Sequence, residues 1–435
     1  MILPKRGAPL ALVLLFLCSA GATAQNRITV DVNYFTRGEI RRGGLPLDED
    51  HGGSGNDHAN FLIERTMLGF DYTGDAYETR LTAQHSGTWG SQEGGTFNVY
   101  EAWFKLKSPK GFFAQIGRQN LSYDDQRIFG SDDWSMTGMS HDALKVGFEG
   151  HGHKLHLFGA YNQNSENMTG GTFFTGGLQP YKAMEALWYH WDIADTGLGA
   201  SILLLDIGMQ GGEKWISEKM YRQQLYGTFL SYKRPRLEAN AAYYYQGGRE
   251  ENNLPIDAWM AAAKLSFKFS EKFTAYGGYD YLSGDPFFAT PPNGQIGMAR
   301  HEIIKGFSSV YGSHHDFYGA MDFFYMSTYN AGFTPGLQNA YAGFKTSPFK
   351  KTDMELSYHF FATATQLENA DKPLGHELEF SASYALAKDT KLSIGYTFMQ
   401  GTDTMVLLKR TDENRHLNWA WIMLTVTPKL LSGNL

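Results

Sequence analysis

The sequence predicts an all-β fold: a closed transmembrane antiparallel β-barrel of about 18 strands, with short periplasmic turns and long external loops. Three observations predict it. From residue 27 onward, runs of roughly ten residues alternate apolar and polar side chains, the period of a strand with two unlike faces. The connections between these runs are mostly short and long by turns, as when turns lie on one side of a membrane and loops on the other. The chain is 15% aromatic, with 25 Tyr, 30 Phe and 49 Gly; rings favour both membrane interfaces, and glycine favours tight turns.

Ahead of the barrel, residues 1–24 read as an export signal. Lys5 and Arg6 lead an apolar run from Ala8 to Cys18, and Ala22-Thr23-Ala24 gives a small-residue cleavage pattern before Gln25. Residues 25–435 are then expected to form a single outer-membrane barrel domain. Phe16 and Leu17 are too bulky for a lipidation site at Cys18. Because Cys18 is the one cysteine, the mature chain is expected to have no disulfide, thiol chemistry or Cys-ligated metal. Past the signal there is no run of about 18 apolar residues, so the sequence supports no transmembrane helix. A mean hydropathy of -0.36 suits a barrel whose apolar outside alternates with a polar lumen. A net charge of -7 without a basic run argues against a nucleic-acid partner.

The opening strand reads as Arg27 to Thr36. Hairpin turns follow at Thr73-Gly74-Asp75, Ser108-Pro109-Lys110-Gly111, Gly150-His151-Gly152, Ala194-Asp195-Thr196-Gly197, Arg234-Pro235, Ser270-Glu271-Lys272, Ser347 to Thr352, and Ala387-Lys388-Asp389-Thr390. Long connections fall near 39–58, 122–140, 163–180, 208–218, 247–256, 284–335, 366–375 and 401–416, with a shorter one at 89–96. The closing strand reads as Leu417 to Thr427 and is expected to end before the chain does, since residues continue past Trp419-Ala420-Trp421 to Leu435. Phe317 to Met326 alternates loosely, but counting it as a strand makes the total odd. It is assigned instead to the 284–335 connection, with 305–326 expected to enter and narrow the pore.

Alternation assigns the faces. Tyr77, Thr79, Leu81 and Ala83 turn toward lipid, and Glu78, Arg80, Thr82, Gln84 and Ser86 toward water. In the same way Leu378, Phe380, Ala382 and Tyr384 point outward with Glu377 and Glu379 inward, and Leu392, Ile394, Tyr396 and Phe398 point outward with Lys391, Ser393 and Thr397 inward. The inward set mixes charge: Arg65, Arg80, Lys105, Lys145, Lys154, Lys264, Lys268 and Lys391 stand with Asp71, Glu78, Glu101, Glu149, Asp280, Glu355, Glu377 and Glu379. About 18 strands make a barrel wide enough for an aqueous channel.

Hydrogen-bonding residues are densest between Ile116 and Asp142. Gly117-Arg118-Gln119, Tyr123-Asp124-Asp125, Arg127, Gly130, Asp133-Trp134 and Asp142 follow one another there, with Arg65-Thr66-Met67-Leu68-Gly69-Phe70 and Tyr100-Glu101-Ala102-Trp103 upstream. Over roughly residues 60–150 this pattern resembles the alginate-export family of outer-membrane channels. The resemblance implies an 18-stranded barrel with an external loop folded over or into the pore. It also implies passive conduction with no ATP, metal or catalytic residue. Arg offers a fixed fork of donors, Asp offers acceptors and Trp a face for a sugar ring. Arg65, Arg80, Glu101, Arg118, Gln119, Asp124, Asp125, Arg127, Trp134 and Asp142 are therefore the residues expected to line the pore or brace its loop. Strict alternation sends Arg118 outward with Phe112, Ala114 and Ile116, so it either sits at the rim or is turned inward by a bulge at Gly117.

The expected partners are outer-membrane lipid, a hydrophilic solute or polysaccharide permeant, and periplasmic export machinery; no cofactor is expected. A general or oligosaccharide-uptake porin, and a barrel enzyme acting on envelope lipid or glycan, are the alternatives. His301, His314 and His315, and likewise Asp48, Glu49, Asp50, His51 and Asp57, lack the spacing of a metal site and read as solvated loop residues.

Overall fold

The protein is described by a computed structural model covering residues 26–43, 58–163, 166, 168, 179–211, 219–285, 302–324, 334–367, 370–409 and 415–434. The export signal, the acidic cluster at 48–57 and His301 lie outside the described residues. One sheet of antiparallel strands closes on itself. In chain order the strands are β1 (Arg27–Arg42), β2 (His58–Thr73), β3 (Tyr77–Thr88), β4 (Thr96–Lys107), β5 (Phe112–Gln119) and β6 (His141–Gly150). Next come β7 (His153–Tyr161), β8 (Ala183–Ile193), β9 (Leu198–Gln210), β10 (Met220–Lys233), β11 (Leu237–Gly248) and β12 (Ala258–Ser270). The last are β13 (Phe273–Leu282), β14 (Leu337–Thr346), β15 (Thr352–Ala362), β16 (Pro373–Ala387), β17 (Thr390–Gly401), β18 (His416–Val426) and β19 (Lys429–Asn434).

From β1 to β18 each strand pairs with its chain neighbours, and β1 closes the ring by pairing with β2 on one side and with both β18 and β19 on the other. β18 and β19 are two halves of one stave, broken at Pro428, so the barrel has 18 staves. Pro lacks an N–H for the ladder, while its carbonyl still accepts from Val32 N–H at 3.1 Å. The expectation that the closing strand stops before the chain end is corrected: Lys429–Asn434 continues the ladder along Arg27–Asp31. All eight hairpin turns fall where the sequence places them. β1 runs six residues past the expected Thr36, because Arg37, Glu39 and Arg41 keep the strand alternation.

The outer face carries an apolar belt. Leu68, Ile116, Leu144, Leu230, Leu265, Ile394 and Ile422 are among its exposed side chains. Rings gather toward its edges, for example Phe112 with Phe148 and Phe273 with Phe344 near the short turns, and Tyr243, Trp259 and Tyr281 toward the long loops. Exposed Leu and Ile in a row on a closed sheet are stable against hydrocarbon, which also needs every backbone group paired within the barrel.

Inside, the face is polar at the short-turn end, and higher up it is apolar along β9 to β12 and charged around β1, β2 and β16. A buried cluster there joins Leu203, Leu205, Ile207, Leu225, Tyr244 and Met260 of the wall to Phe129, Tyr311 and Tyr318 of two long loops. L3 (residues 120–140) and the described part of L7 (residues 283–336) turn into the lumen. The described part of Phe317 to Met326 is not a strand, in agreement with its assignment to the loop.

Candidate functional site

The two loops meet inside the barrel. Phe129 and Tyr311 form a parallel bridge; Gly130 N–H donates to Tyr311 O at 2.9 Å, Tyr311 N–H to Ile128 O at 3.1 Å, and Ser313 N–H to Gln126 O at 2.9 Å. The Ser313 hydroxyl accepts from Asp132 N–H at 3.0 Å. A Cβ on Gly130 would lie 2.3 Å from Ser313 Oγ, so this crossing requires glycine.

Each candidate charge of L3 has a defined anchor. Arg127 is 4% exposed and donates to Asp280 Oδ1 of β13 at 2.8 Å, to Asp125 Oδ2 at 2.9 Å and to the Tyr318 hydroxyl at 3.1 Å. Its guanidinium carbon lies 4.1 Å from the centre of the Phe317 ring. Burial alone would depress this guanidinium, but Asp280, Tyr318 and Asp125 reverse the effect and hold its proton more tightly than usual. Asp124 accepts from Trp188 Nε1 at 3.2 Å and from the Ser201 hydroxyl at 2.5 Å, while burial raises its carboxyl above the usual range. The neighbouring Tyr123 ring packs on Phe158 and Trp188.

On the opposite wall the Trp134 indole lies between Arg37 and His315. Arg37 of β1 sits 3.7 Å from its centre, and the His315 ring of L7 stacks at 4.0 Å and 8° on its other face. Arg37 donates to Trp134 O at 3.0 Å and to Glu39 Oε1 at 2.8 Å, and Glu39 accepts from Trp419 Nε1 at 2.9 Å. His315 Nδ1 bonds Asp322 Oδ2 at 2.8 Å. Arg65 lies beneath L3, 1% exposed, donating to Gln84 Oε1 at 2.8 Å and standing 3.7 Å from Asp133.

Arg80 and Glu101 are nearer the short turns. Arg80 reaches Glu101 at 2.9 Å, Asp71 at 2.5 Å and Asp31 at 3.4 Å. Gln119 faces inward, fully buried, and donates to Ala143 O at 2.9 Å.

Arg118 and Asp142 are the exceptions: of the two places expected for Arg118, the structure shows the rim and not an inward turn at Gly117. They form a bidentate pair, 2.9 Å on both arms, on the outer face. Pairing stays in register at Gly117 on both sides, so no bulge turns Arg118 inward. The irregularity falls on β4 at Tyr100 instead. Next to the end of β5, Arg118 occupies the rim, where a paired charge is tolerated.

The sequence reading did not single out Arg37, Glu39, Asp280, Trp188 or Trp419 as one system. Two signals were available. Arg37, Glu39 and Arg41 occupy alternate positions, which puts three charges on the inward face of one strand. Ile202-Leu203-Leu204-Leu205 has no polar face, the pattern of a strand covered on both sides. Among the described residues, no group of three or more His, Asp or Glu is arranged to hold a metal ion.

No family model matches the chain, and no curated protein matches it. Solved structures do. OccK9 (OpdG) of Pseudomonas aeruginosa is similar with a TM-score of 0.60 at 12% identity, over 93% of this chain and 98% of that one. OccK3 (OpdO) of the same organism gives 0.61 at 11%, over 93% and 96%. OccK2 (OpdF), in complex with glucuronate, gives 0.59 at 12%, over 93% and 98%. At this identity the likeness is one of fold. The closed barrel with its apolar belt places this chain in the bacterial outer membrane.

Proposed function

We propose that the protein is a passive outer-membrane channel for small hydrophilic solutes, an uptake porin in preference to a polysaccharide exporter. The meeting of L3 and L7 inside the lumen carries this reading. Two loops bonded to each other and to β13 through Arg127 and Asp280 narrow the passage to small solutes. The wall below offers both signs, with Lys105, Lys145 and Lys264 among the cations and Glu78, Glu101 and Glu355 among the anions. Such a lining recognises solutes that carry hydroxyls together with a charge. The glucuronate in OccK2 (OpdF) is a ligand of that kind.

The resemblance of residues 117–142 to the alginate-export family supports the second reading. Against it, Asp124, Arg127 and Trp134 engage the barrel wall or L7, while Arg118 and Asp142 lie outside the lumen.

Swelling of proteoliposomes in a graded series tests the proposal: glucose, glucuronate, a disaccharide and alginate oligomers. Influx that falls with solute size is expected. Equal entry of long oligomers would favour the exporter. Lipid hydrolysis by a barrel that admits no solute would favour an enzyme.

A further inference from the structure

The far arm of L7, residues 318–324, is held in an unusual way. Glu377 and Glu379 of β16 are two apart, so both turn inward onto one patch of wall. Ala320 N–H donates to Glu379 Oε1 at 2.7 Å, and Met321 N–H donates to Glu377 Oε1 at 3.2 Å. Successive backbone N–H groups of the loop thus meet successive carboxylates of the strand. The wall holds the pair ready: the Ser357 hydroxyl donates to Glu379 Oε2 at 2.6 Å, and His359 Nε2 lies 3.4 Å from Glu379 Oε1.

Gly319 makes the approach possible. Its φ is +91°, and a Cβ there would stand 2.7 Å from the Phe361 ring and 3.0 Å from the Glu377 carboxylate. The near part of L7 is tied differently, through main-chain bonds such as Phe307 N–H to Ser283 O at 3.0 Å and the ladder-like contacts with L3. One loop therefore has a main-chain root and an arm bonded to buried acid side chains, while Tyr318 and Asp322 of that arm also meet Arg127 and His315. Bonds to two neighbouring carboxyl groups hold while those groups keep their geometry, and they are lost together when the arm moves away.

We propose that Glu377 and Glu379 are a latch that holds the 318–324 arm across the lumen, and that release of this arm is the step that widens the channel. The inference rests on the channel reading above. It makes the passage two-state, with a narrow latched form and a wider released one whose root stays bonded to L3.

The test uses the full chain in planar bilayers with three variants. E377Q/E379Q weakens the latch without removing bulk. The pair A320C/E379C replaces it by a bond that can be closed or opened, and Cys18 in the expected signal is the chain's single native cysteine. G319A displaces the arm through the Cβ alone. Heat-modifiable gel migration reports that each barrel has folded.

The latch predicts that E377Q/E379Q, G319A and reduced A320C/E379C show conductance raised roughly twofold or more, or wide openings that the native chain seldom visits. Oxidising A320C/E379C should return it to the narrow level. Equal conductance of the oxidised, reduced and native proteins would overturn the latch while leaving the channel intact. A folded barrel that never conducts in any form would overturn the channel reading, and the latch with it.

Discussion

The Arg127 guanidinium donates to the Asp280 carboxylate at 2.8 Å, and both side chains are almost fully buried. This bond joins L3 to the wall of β13, and Asp280 also accepts from Asn339 Nδ2 at 2.9 Å, which spreads the anchor to β14.

Removing one partner of such a pair leaves a buried charge without its counter-ion, at a cost of about 3–5 kcal/mol. Arg127→Ala is expected to free L3 and the Tyr318 region of L7 together. Hydrogen exchange should speed up at residues 124–132 and 316–321 while the strands stay protected. Exchange confined to L3 would show that Arg127 does not couple the loops.

Trp134 is the second anchor, stacked between Arg37 and His315. Trp134→Ala should loosen L3 from β1 and β18 by up to about 3–5 kcal/mol, the upper range for removing a large aromatic, since this ring is only partly buried. Faster proteolytic nicking between 131 and 137 is the expected result. Trp134→Phe, which keeps a ring, should be cut at close to the native rate.

Arg118 separates the structural account from strict motif reading. Its ion pair with Asp142 lies on the outer rim with both side chains partly exposed, so solvent screening limits its worth to about 1 kcal/mol or less. Arg118→Ala is expected to leave ion selectivity unchanged. Arg80→Ala should shift selectivity toward cations, because Asp31, Asp71 and Glu101 then face the lumen without their shared counter-charge. A reversal potential that moves with Arg118 and not with Arg80 would contradict these placements.

Lys409 gives a pH dependence outside the membrane. It lies in the short helix α1 (Asp403–Lys409) of the last loop, 5.2 Å from the Phe323 ring centre, and burial lowers its amine to about 7. A free lysine titrates near 10.4. Between those values the docked amine is neutral while an undocked one is charged, so docking strengthens as pH rises through that window and the gain is lost on falling to about 7. Protease protection of 403–409 should therefore increase from pH 7 to pH 9.5, and Lys409→Met should remove the trend. Equal protection in the native protein at both values would count against the buried amine.

Much of this fold was legible in the sequence because a barrel writes its plan locally. Period-two alternation fixes the face of Arg80 and Leu81 whatever lies elsewhere, and the short turns at Gly150-His151-Gly152 and Arg234-Pro235 mark themselves by composition. The arrangement of the lumen was less legible. Arg127 finds Asp280 across 153 residues, and Trp134 finds Arg37 and His315 from opposite directions along the chain. Neither contact leaves a periodic trace. The chain end was misjudged because Trp419-Ala420-Trp421 suggests an aromatic finish, yet past Pro428 the ladder with β1 resumes. At Arg118, plain alternation gave the correct face, and the side chain sits at the rim, paired with Asp142.

Whether L7 narrows the passage is decided by the single-channel conductance of the native barrel beside a variant lacking residues 305–326, in the same lipid and salt. A hydrophilic channel narrowed by L7 predicts steady conductance for the native chain and a clear rise for the shortened one. Identical conductance in two correctly folded barrels would contradict the account, since L7 would then not set the width of the passage.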